Sequence, residues 1–284
     1  MSKVISQSEV DSFLSCKRRH YYAHMEKIKP KTYSKALNRG TIGHDVLAQY
    51  YLSLKELRSV DQAKEDAMQV LNKYAQAENM EVLLELTVIL NRFFAWAAAT
   101  QMNWEILEVE QEHRIPVPGT DLIYPFKADL LVRDTKRDKV ILVDHKFIQD
   151  FYKDDLIAIL PQMGKYVGAL QMAGIQVDDG AYQMLRTRSI KSTDINDHLR
   201  LQYMNLKQVK IDRYLKEQFS GMKQISAASK IDQETYRENF ALRSANQFNC
   251  RSCPYLDLCT LDLQEGNRDL HIRSFYEPND YGYE

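Results

Sequence analysis

The chain has 284 residues, and 44% of them are hydrophobic, which is enough for one large folded domain or two small ones and excludes a disordered protein. Its 38 lysines and arginines and 39 aspartates and glutamates give a formal net charge of −1. That balance neither requires nor excludes a nucleic-acid partner, because basic residues can be confined to one groove. No run of about 20 apolar residues indicates a membrane span, and the N-terminus lacks the apolar segment of a signal peptide. We therefore expect a cytoplasmic protein with no membrane partner.

The first part of the sequence predicts helices. Residues 6–26 have helical spacing of apolar side chains, and a loop containing Gly40 follows. The pattern is helical throughout residues 43–102, which predicts three successive helices and places His44 at the start of the first. We interpret residues 45–103 as a helical insertion that precedes a sheet.

The pattern changes to strands at Trp104, where apolar and polar residues begin to alternate. Strands are predicted at 104–117, 122–132, 140–147, 180–187 and 201–205, and helices at 155–173 and 207–225. This order indicates one α/β domain over residues 1–284, with its core at 104–206.

The stretch VILVDHKF, residues 140–147, carries charge at the end of an apolar strand. Four apolar residues are followed without a break by Asp144 and Lys146. Burying such charges is costly unless something neutralises or uses them. A second Asp-x-Lys, Asp134 and Lys136, lies in a charged hairpin turn, where we expect both side chains to be solvated. Taken alone, the pair at the strand end is explained as well by a structural salt bridge as by a functional site.

Asp129, on the preceding strand, changes that balance. A tight turn joins the two strands, so Asp129 can lie beside Asp144, and Lys146 points the same way because residues two apart on a strand share a face. Two converging carboxylates repel each other, and a divalent cation such as Mg²⁺, which prefers oxygen ligands, relieves that repulsion. A metal held there can bind a phosphate oxygen while the lysine orients or deprotonates a water. The implied chemistry is phosphodiester hydrolysis.

This constellation resembles the PD-(D/E)xK nuclease superfamily. His44 precedes it in GTIGHDVLAQYY, and LPQMGKYVGAL follows it with Gln162 and Tyr166 four residues apart, on one helix face. The order of these residues is similar to that of the RecB-type exonuclease branch. Individually each has an ordinary explanation, as a helix-end histidine or as core-edge residues of a helix. One departure from the superfamily pattern is Ala128, which stands where a proline is nominal.

The resemblance implies a fold, a ligand set and a catalytic set. The fold is a restriction-endonuclease-like core, with a mixed central sheet flanked by helices. By resemblance, Mg²⁺ or Mn²⁺ is bound by His44, Asp129, Asp144 and the backbone carbonyl of His145. The catalytic residues are then Asp129, Asp144, Lys146, Gln162 and Tyr166, of which the last two position the lysine and the DNA backbone.

The four cysteines form a second motif. Three lie in CRSCPYLDLC as Cys250, Cys253 and Cys259, and the fourth, Cys16, lies more than 200 residues upstream. Four thiolates can hold Zn²⁺ or an iron–sulfur cluster, and their spacing alone does not choose between them. The split arrangement resembles iron–sulfur nucleases, namely the AddB-type recombination subunits and the CRISPR adaptation nucleases. That resemblance implies a [4Fe–4S] cluster that joins the N- and C-terminal segments, with four unrelated thiols as the plain alternative.

We therefore expect a DNA exonuclease of recombination, repair or processing, whose substrate is single-stranded or has a free end and whose candidate partner is a helicase or recombination protein. The stretch CKRRHYYAH can contact the strand through Lys17, Arg18 and Arg19 on phosphates and Tyr21 or Tyr22 on a base, although a solvated basic face explains it equally well. The main alternative is a non-catalytic DNA-binding scaffold that keeps the fold and leaves the site idle.

Overall fold

In the computed structural model, residues 3–32, 35–76, 80–100 and 103–279 are described. The strands are β1 (Lys3–Val4), β2 (Ile28–Pro30), β3 (Trp104–Pro116), β4 (Leu122–Asp134), β5 (Lys139–Ile148), β6 (Asp179–Arg186), β7 (Leu199–Met204) and β8 (Tyr276–Pro278). The helices are α1 (Gln7–Ser15), α2 (Lys17–His20), α3 (Lys35–Lys55), α4 (Val60–Lys73), α5 (Met80–Thr100), α6 (Asp154–Ile157), α7 (Pro161–Met172), α8 (Gln208–Ala228), α9 (Gln233–Thr235), α10 (Gln247–Cys250), α11 (Leu256–Leu263) and α12 (Arg268–Phe275). Short π-helical segments lie at Tyr21–Met25 and Tyr236–Phe240, and 3-10 turns at Tyr74–Gln76 and Ile195–Asp197.

The main sheet is mixed, as predicted. Its strand order is β1–β4–β5–β6–β7, with β3 also paired to β4. β4 runs antiparallel to β5, β5 parallel to β6, and β6 antiparallel to β7. The apolar run at the start of β5 is buried on both faces, which is typical of a central strand with a parallel neighbour. A separate two-stranded antiparallel sheet pairs β2 with β8.

The chain divides into two units. Unit 1 comprises Met1–Tyr33, Arg114–Phe126 and Lys216–Glu284, and unit 2 comprises Ser34–His113 and Lys127–Leu215. Aromatic side chains dominate a core of unit 1, which contains Tyr21, Tyr22, Tyr236, Tyr255 and Tyr276. The interpretation of residues 1–284 as one domain stays a prediction.

Three helices, α3, α4 and α5, cover one face of the sheet in unit 2. Their buried side chains pack against Leu130 and Val132 of β4 and against Ile141 and Val143 of β5. Three successive helices are therefore present, as predicted, although residues 77–79 and 101–102 of that range lie outside the described residues. Their interpretation as an insertion stays a prediction. These helices provide a rigid backing for the strands that carry Asp129 and Asp144.

One of these helices is more apolar than the sequence analysis allowed. By length and composition α5 could cross a membrane, since an 18-residue window has a mean hydropathy of 1.5. Half of that window is buried, and nine side chains of α5 are buried in all. A single such helix is weak evidence for a membrane span, because core helices have the same composition.

The prediction that His44 begins a helix is wrong. α3 begins at Lys35, so His44 lies in its middle and the expected loop at Gly40 is helical. Glycine at position 43 has a packing reason instead, because a Cβ there would lie 2.3 Å from the Phe147 ring of β5. This close approach brings His44 over the sheet rather than to a helix end.

α7 packs on α8 through glycines. A Cβ added at Gly168 would lie 2.5 Å from Leu215 and 2.7 Å from Ile211, and both of those side chains are buried. The absence of a side chain at this position lets the helix that carries Gln162 and Tyr166 approach its neighbour closely.

We expect Gly168→Ala to destabilise the protein by about 1–3 kcal/mol, because overpacking forces buried side chains to move. Gly40→Ala is the matched control: it also lies inside a helix, but its added Cβ meets nothing within 4 Å. That variant should gain up to about 1 kcal/mol from helix propensity. Urea unfolding measures both free energies, and a Gly168→Ala variant as stable as wild type would contradict the packing account.

Candidate functional site

β4 and β5 bring Asp129 and Asp144 side by side in unit 2. Leu130 pairs with Val143, so the next residues outward are the two aspartates. The backbone N–H of His145 donates a hydrogen bond of 2.9 Å to Oδ2 of Asp129. Both carboxylates are largely buried. Burial, together with the negative charge of Asp144, raises the pKa of Asp129 to about 7.

His44 of α3 and Glu110 of β3 complete a cluster around Asp129. Nδ1 of His44 lies 3.4 Å from Oδ2 of Asp129 and 3.7 Å from Oε1 of Glu110. One donor atom from each residue lies within 4.8 Å of the other two. Burial alone would lower the pKa of His44, but the neighbouring carboxylates of Glu110, Asp129 and Asp144 raise it above its usual value. A cavity of ≈390 Å³ opens over these three residues.

Glu110 was missed by the sequence analysis. Its backbone has φ 49°, in the left-handed region that non-glycine residues rarely adopt. Trp104 and Ile106 face the core at even positions, whereas Val109 faces it at an odd one, so the alternation of β3 shifts by one residue. We interpret this shift as a β-bulge, which turns the side chains after it toward the other face of the strand. The three-residue step from Ile106 to Val109 is the sequence signal that could have revealed it.

Lys146 and Gln162 both contact Asp144. Nζ of Lys146 lies 2.6 Å from Oδ2, and Nε2 of Gln162 donates a hydrogen bond of 3.1 Å to Oδ1. Burial would lower the pKa of Lys146, but the charge of Asp144 outweighs it and raises the pKa. Tyr166 lies one turn after Gln162 on α7. The structure thus brings together His44, Asp129, Asp144, Lys146 and Gln162, as the sequence predicted.

The side chain of His145 is buried behind the site. Its ring stacks on Tyr51, with centroids 5.5 Å apart and an angle of 3° between the planes. Burial lowers the pKa of this imidazole well below its usual value, so the ring is neutral. The role of its backbone carbonyl as a ligand stays a prediction.

The second Asp-x-Lys differs from expectation at one residue. Asp134 is buried, and its Oδ1 accepts hydrogen bonds of 3.1 and 3.0 Å from the backbone N–H groups of Lys136 and Arg137. The prediction of a solvated Asp134 is therefore wrong, because this carboxylate holds the hairpin turn. Lys136 is exposed, as predicted.

Three of the five residues predicted to contact DNA are buried in unit 1. Arg18 donates hydrogen bonds to the carbonyls of Ala241 and Arg237, and it is 7% exposed. Tyr21 and Tyr22 are 4% and 0% exposed, so neither can stack on a base. Their predicted DNA contacts are wrong, because these side chains build the aromatic core. Lys17 and Arg19 are exposed, and their roles stay predictions.

The four cysteines line one cavity of ≈120 Å³ in unit 1. Arg18, Arg19 and Arg243 line the same cavity, and Nε of Arg243 lies 3.2 Å from Sγ of Cys259. Burial raises the pKa of the Cys253 thiol, and the neighbouring sulfurs add to that effect while Arg19 opposes it. The cavity is therefore a converging set of thiols surrounded by cations.

The donor set around Asp129 fits a divalent cation. It combines an imidazole nitrogen with buried carboxylates that repel each other in the metal-free protein. Hard cations prefer such oxygen-rich sites, and imidazole accepts most transition ions.

Comparisons with known proteins agree with this geometry. A family model described as the PD-(D/E)XK nuclease superfamily matches residues 4–260. A search of curated proteins found no match. A solved structure from Eubacterium rectale, described as a "putative exonuclease", has a TM-score of 0.52 and 9% identity, covering 88% of this chain and 93% of that chain. A crystal structure of SSO0001 has a TM-score of 0.39 and 15% identity, covering 91% of this chain and 86% of that chain. At 9% identity, the Eubacterium rectale likeness shows the fold.

We expect Asp129→Asn to stabilise the metal-free protein at alkaline pH. Because the folded-state pKa is raised to about 7 from an ordinary value of 3.8, the folded protein loses stability as the pH rises between those values. In EDTA at pH 8 the variant should be more stable than wild type by up to ~4 kcal/mol, and the gain should shrink toward zero near pH 4. Urea unfolding at pH 8 and at pH 4 measures the difference in the free energy of unfolding between the variant and wild type.

Asp134→Asn serves as the control, because that carboxylate accepts two N–H groups of the turn and should give no gain at pH 8. Added Mn²⁺ should stabilise wild type and not Asp129→Asn. A variant that is less stable than wild type at pH 8 in EDTA would contradict the account.

Proposed function

The chain belongs to the PD-(D/E)XK nuclease superfamily, and from that premise we propose that it is a Mg²⁺- or Mn²⁺-dependent DNA exonuclease of the RecB-type branch. The observation that carries this proposal is the buried pair Asp129 and Asp144, which converges with His44 and Lys146. A folded protein tolerates such a pair when a cation belongs between the carboxylates. The proposed reaction is hydrolysis of phosphodiester bonds.

The proposed metal ligands are His44, Asp129 and Asp144, helped by the backbone carbonyl of His145. Glu110 joins them in this proposal, because its bulge turns a carboxylate oxygen toward Nδ1 of His44. When bound, the cation would polarise a phosphate oxygen and lower the pKa of a water. Nζ of Lys127, 2.5 Å from Oε2 of Glu110, then balances the acidic charge at the cavity mouth.

The protein's own residues orient the reacting groups. The raised pKa of Lys146 keeps Nζ protonated, so it donates hydrogen bonds to a phosphate oxygen or to the attacking water. Asp144 holds Lys146 through Oδ2, and Gln162 fixes the carboxylate through Oδ1. Tyr166, on the same face of α7 as Gln162, is proposed to contact the DNA backbone.

We also propose that the cysteine cavity holds a [4Fe–4S] cluster. A tetrahedral Zn²⁺ with Zn–S bonds of about 2.3 Å would hold its four sulfurs within roughly 4 Å of one another. Among the described residues, the group with three or more potential ligand atoms within 4.8 Å is His44, Glu110 and Asp129, and the cysteines form no such group. A larger cluster suits their wider spacing, and the three arginines around the cavity offset its thiolate charge.

The cluster would add to hydrogen bonds that already join the N- and C-terminal segments within unit 1. Nδ2 of Asn249 donates to the carbonyl of Ser15 over 3.1 Å, and the hydroxyl of Tyr255 donates to the carbonyl of Ile28 over 2.7 Å. A metal cross-link between segments so distant in sequence adds several kcal/mol on the entropy model used for disulfides. Its proposed role is structural.

The wider setting follows from the branch and is proposed with it. The substrate is DNA that is single-stranded or has a free end, processed in recombination or repair with a helicase or recombination partner in the cytoplasm. Exposed Lys17 and Arg19 are proposed to contact its phosphates.

Lys146→Ala should abolish metal-dependent shortening of end-labelled linear DNA, with a loss of at least about 100-fold, because the group that orients the reacting atoms is gone. Lys136→Ala is the control, since it changes the lysine of the other Asp-x-Lys, which is exposed in a turn. It should retain full activity, and EDTA should stop wild type. Folded wild type that binds DNA but never shortens it with Mg²⁺ or Mn²⁺ would replace this proposal with the scaffold alternative.

Anaerobically purified protein should be brown and contain iron and acid-labile sulfide in equal amounts. Cys253→Ser should lose both and unfold at lower denaturant concentration, because the cross-link is broken. Lys146→Ala should keep both, which separates the two sites. Colourless protein with one zinc per chain would overturn the cluster assignment and leave the nuclease proposal intact.

A further inference from the structure

Positive charge is concentrated at the end of β6 in unit 2. Arg186 ends that strand, and Arg188 follows it. With Arg92 of α5 and the hydroxyl residues Thr187 and Ser189, they line a cavity of ≈190 Å³. Three guanidinium groups and two hydroxyls are a donor-rich lining for so small a volume.

These charges are poorly neutralised. Glu85, the acidic residue of the lining, is held by Arg39 at 2.7 Å. Arg188 pairs with Asp150, but both side chains are more than half exposed, so solvent weakens that pair. Arg186 forms no ion pair with any residue that the structure describes, and its buried Nε finds no hydrogen-bond acceptor among them.

An aromatic ring holds two of the arginines close together. The guanidinium carbons of Arg186 and Arg200 lie 4.4 and 4.7 Å from the centroid of the Phe151 ring. They are therefore at most about 9 Å apart, within a Debye length, and they repel each other. Stacking fixes guanidinium planes in advance of binding, as in sites that recognise phosphate.

The cluster lies near the proposed active site along the sheet. β5 and β6 are parallel, with Lys146 opposite Met184 and Ile148 opposite Arg186. Arg186 is thus two residues beyond the level of Lys146, or about 7 Å along the strands. A separation of this size is comparable to the spacing between neighbouring phosphates along a nucleic-acid strand.

We infer that the arginine cluster formed by Arg92, Arg186 and Arg188 binds a phosphate group of the substrate strand next to the cleavage site. The inference rests on the proposed function for the identity of the ligand. Guanidinium groups bind phosphate oxygens through paired N–H donors, which the arginines of the cavity lining supply. The phosphate is either an internal phosphodiester or the terminal phosphate of the strand.

A second groove of unit 2 provides the contrast. Arg137 stacks on Tyr203, with its guanidinium carbon 3.6 Å from the ring centroid. That groove also contains Asp134 and Asp197 beside Lys136 and Arg200, so acidic side chains offset two of its three positive charges. Arg137→Gln therefore removes a stacked arginine from a site that should not hold phosphate.

The test measures DNA binding by the full-length protein purified with its proposed iron–sulfur cluster. EDTA is present, so no cleavage occurs. Fluorescence anisotropy with labelled single-stranded oligonucleotides gives the Kd over a range of salt concentrations. Arg186→Gln/Arg188→Gln should weaken binding at least 10-fold and reduce the slope of log K against log salt by about 0.7, since one phosphate contact on single-stranded DNA is lost. Arg137→Gln should change Kd by less than about twofold.

Oligonucleotides with a 5′-phosphate or a 5′-hydroxyl identify the ligand. If the double variant loses affinity only for the 5′-phosphorylated oligonucleotide, the ligand is a terminal phosphate. If it loses affinity equally for both oligonucleotides, the ligand is a phosphate of the backbone. If the double variant does not fold, exposed Arg188→Gln alone decides, with weaker binding and a slope reduced by up to about 0.7. Unchanged Kd and slope would overturn the inference, as would wild type that binds no DNA. Binding without Mg²⁺-dependent cleavage would instead defeat the proposed function and leave this inference standing.

Discussion

The site is organised around the repulsion between two buried carboxylates. Asp129 and Asp144 meet on adjacent strands, and burial together with the charge of Asp144 raises the pKa of Asp129 to about 7 in the absence of metal. Each neighbouring group reduces the free-energy cost of holding these two like charges together. The N–H of His145 binds Asp129, Lys146 and Gln162 bind Asp144, and His44 lies against Asp129. Taken together, these contacts hold a negative pocket in place for a cation.

The surrounding fold keeps this pocket rigid. Helices α3, α4 and α5 press on the face of β4 and β5 that carries Leu130 and Val143. Gly43 lets α3 approach Phe147 closely enough for His44 to reach Asp129. Gly168 lets α7, whose Gln162 contacts Asp144, approach α8 closely. Backbone approach, rather than the length of side chains, determines the geometry of the site.

Much of this could be predicted from the sequence, and the failures have physical causes. Alternation and apolar runs predicted the strands of the main sheet except the short β1, and the hairpin predicted that Asp129 would meet Asp144. Periodicity could not locate the start of α3, because a glycine inside a helix and a glycine in a loop look the same in a sequence. Glu110 was missed because a bulge breaks the alternation that identifies a strand face. Arg18 and Tyr22 were misread because a basic, aromatic stretch can pack inside a core as well as bind DNA.

The most direct test of the central claim is the position of Mn²⁺ in a crystal of the protein, measured by anomalous scattering near neutral pH. The account predicts a peak in contact with His44, Asp129 and Asp144, with a carboxylate oxygen of Glu110 within reach. A peak that lies only on exposed surface carboxylates, with Asp129 and Asp144 empty at saturating Mn²⁺, would contradict it. The two buried carboxylates would then be a structural feature of the sheet, and the catalytic role assigned to Lys146 would lose its basis.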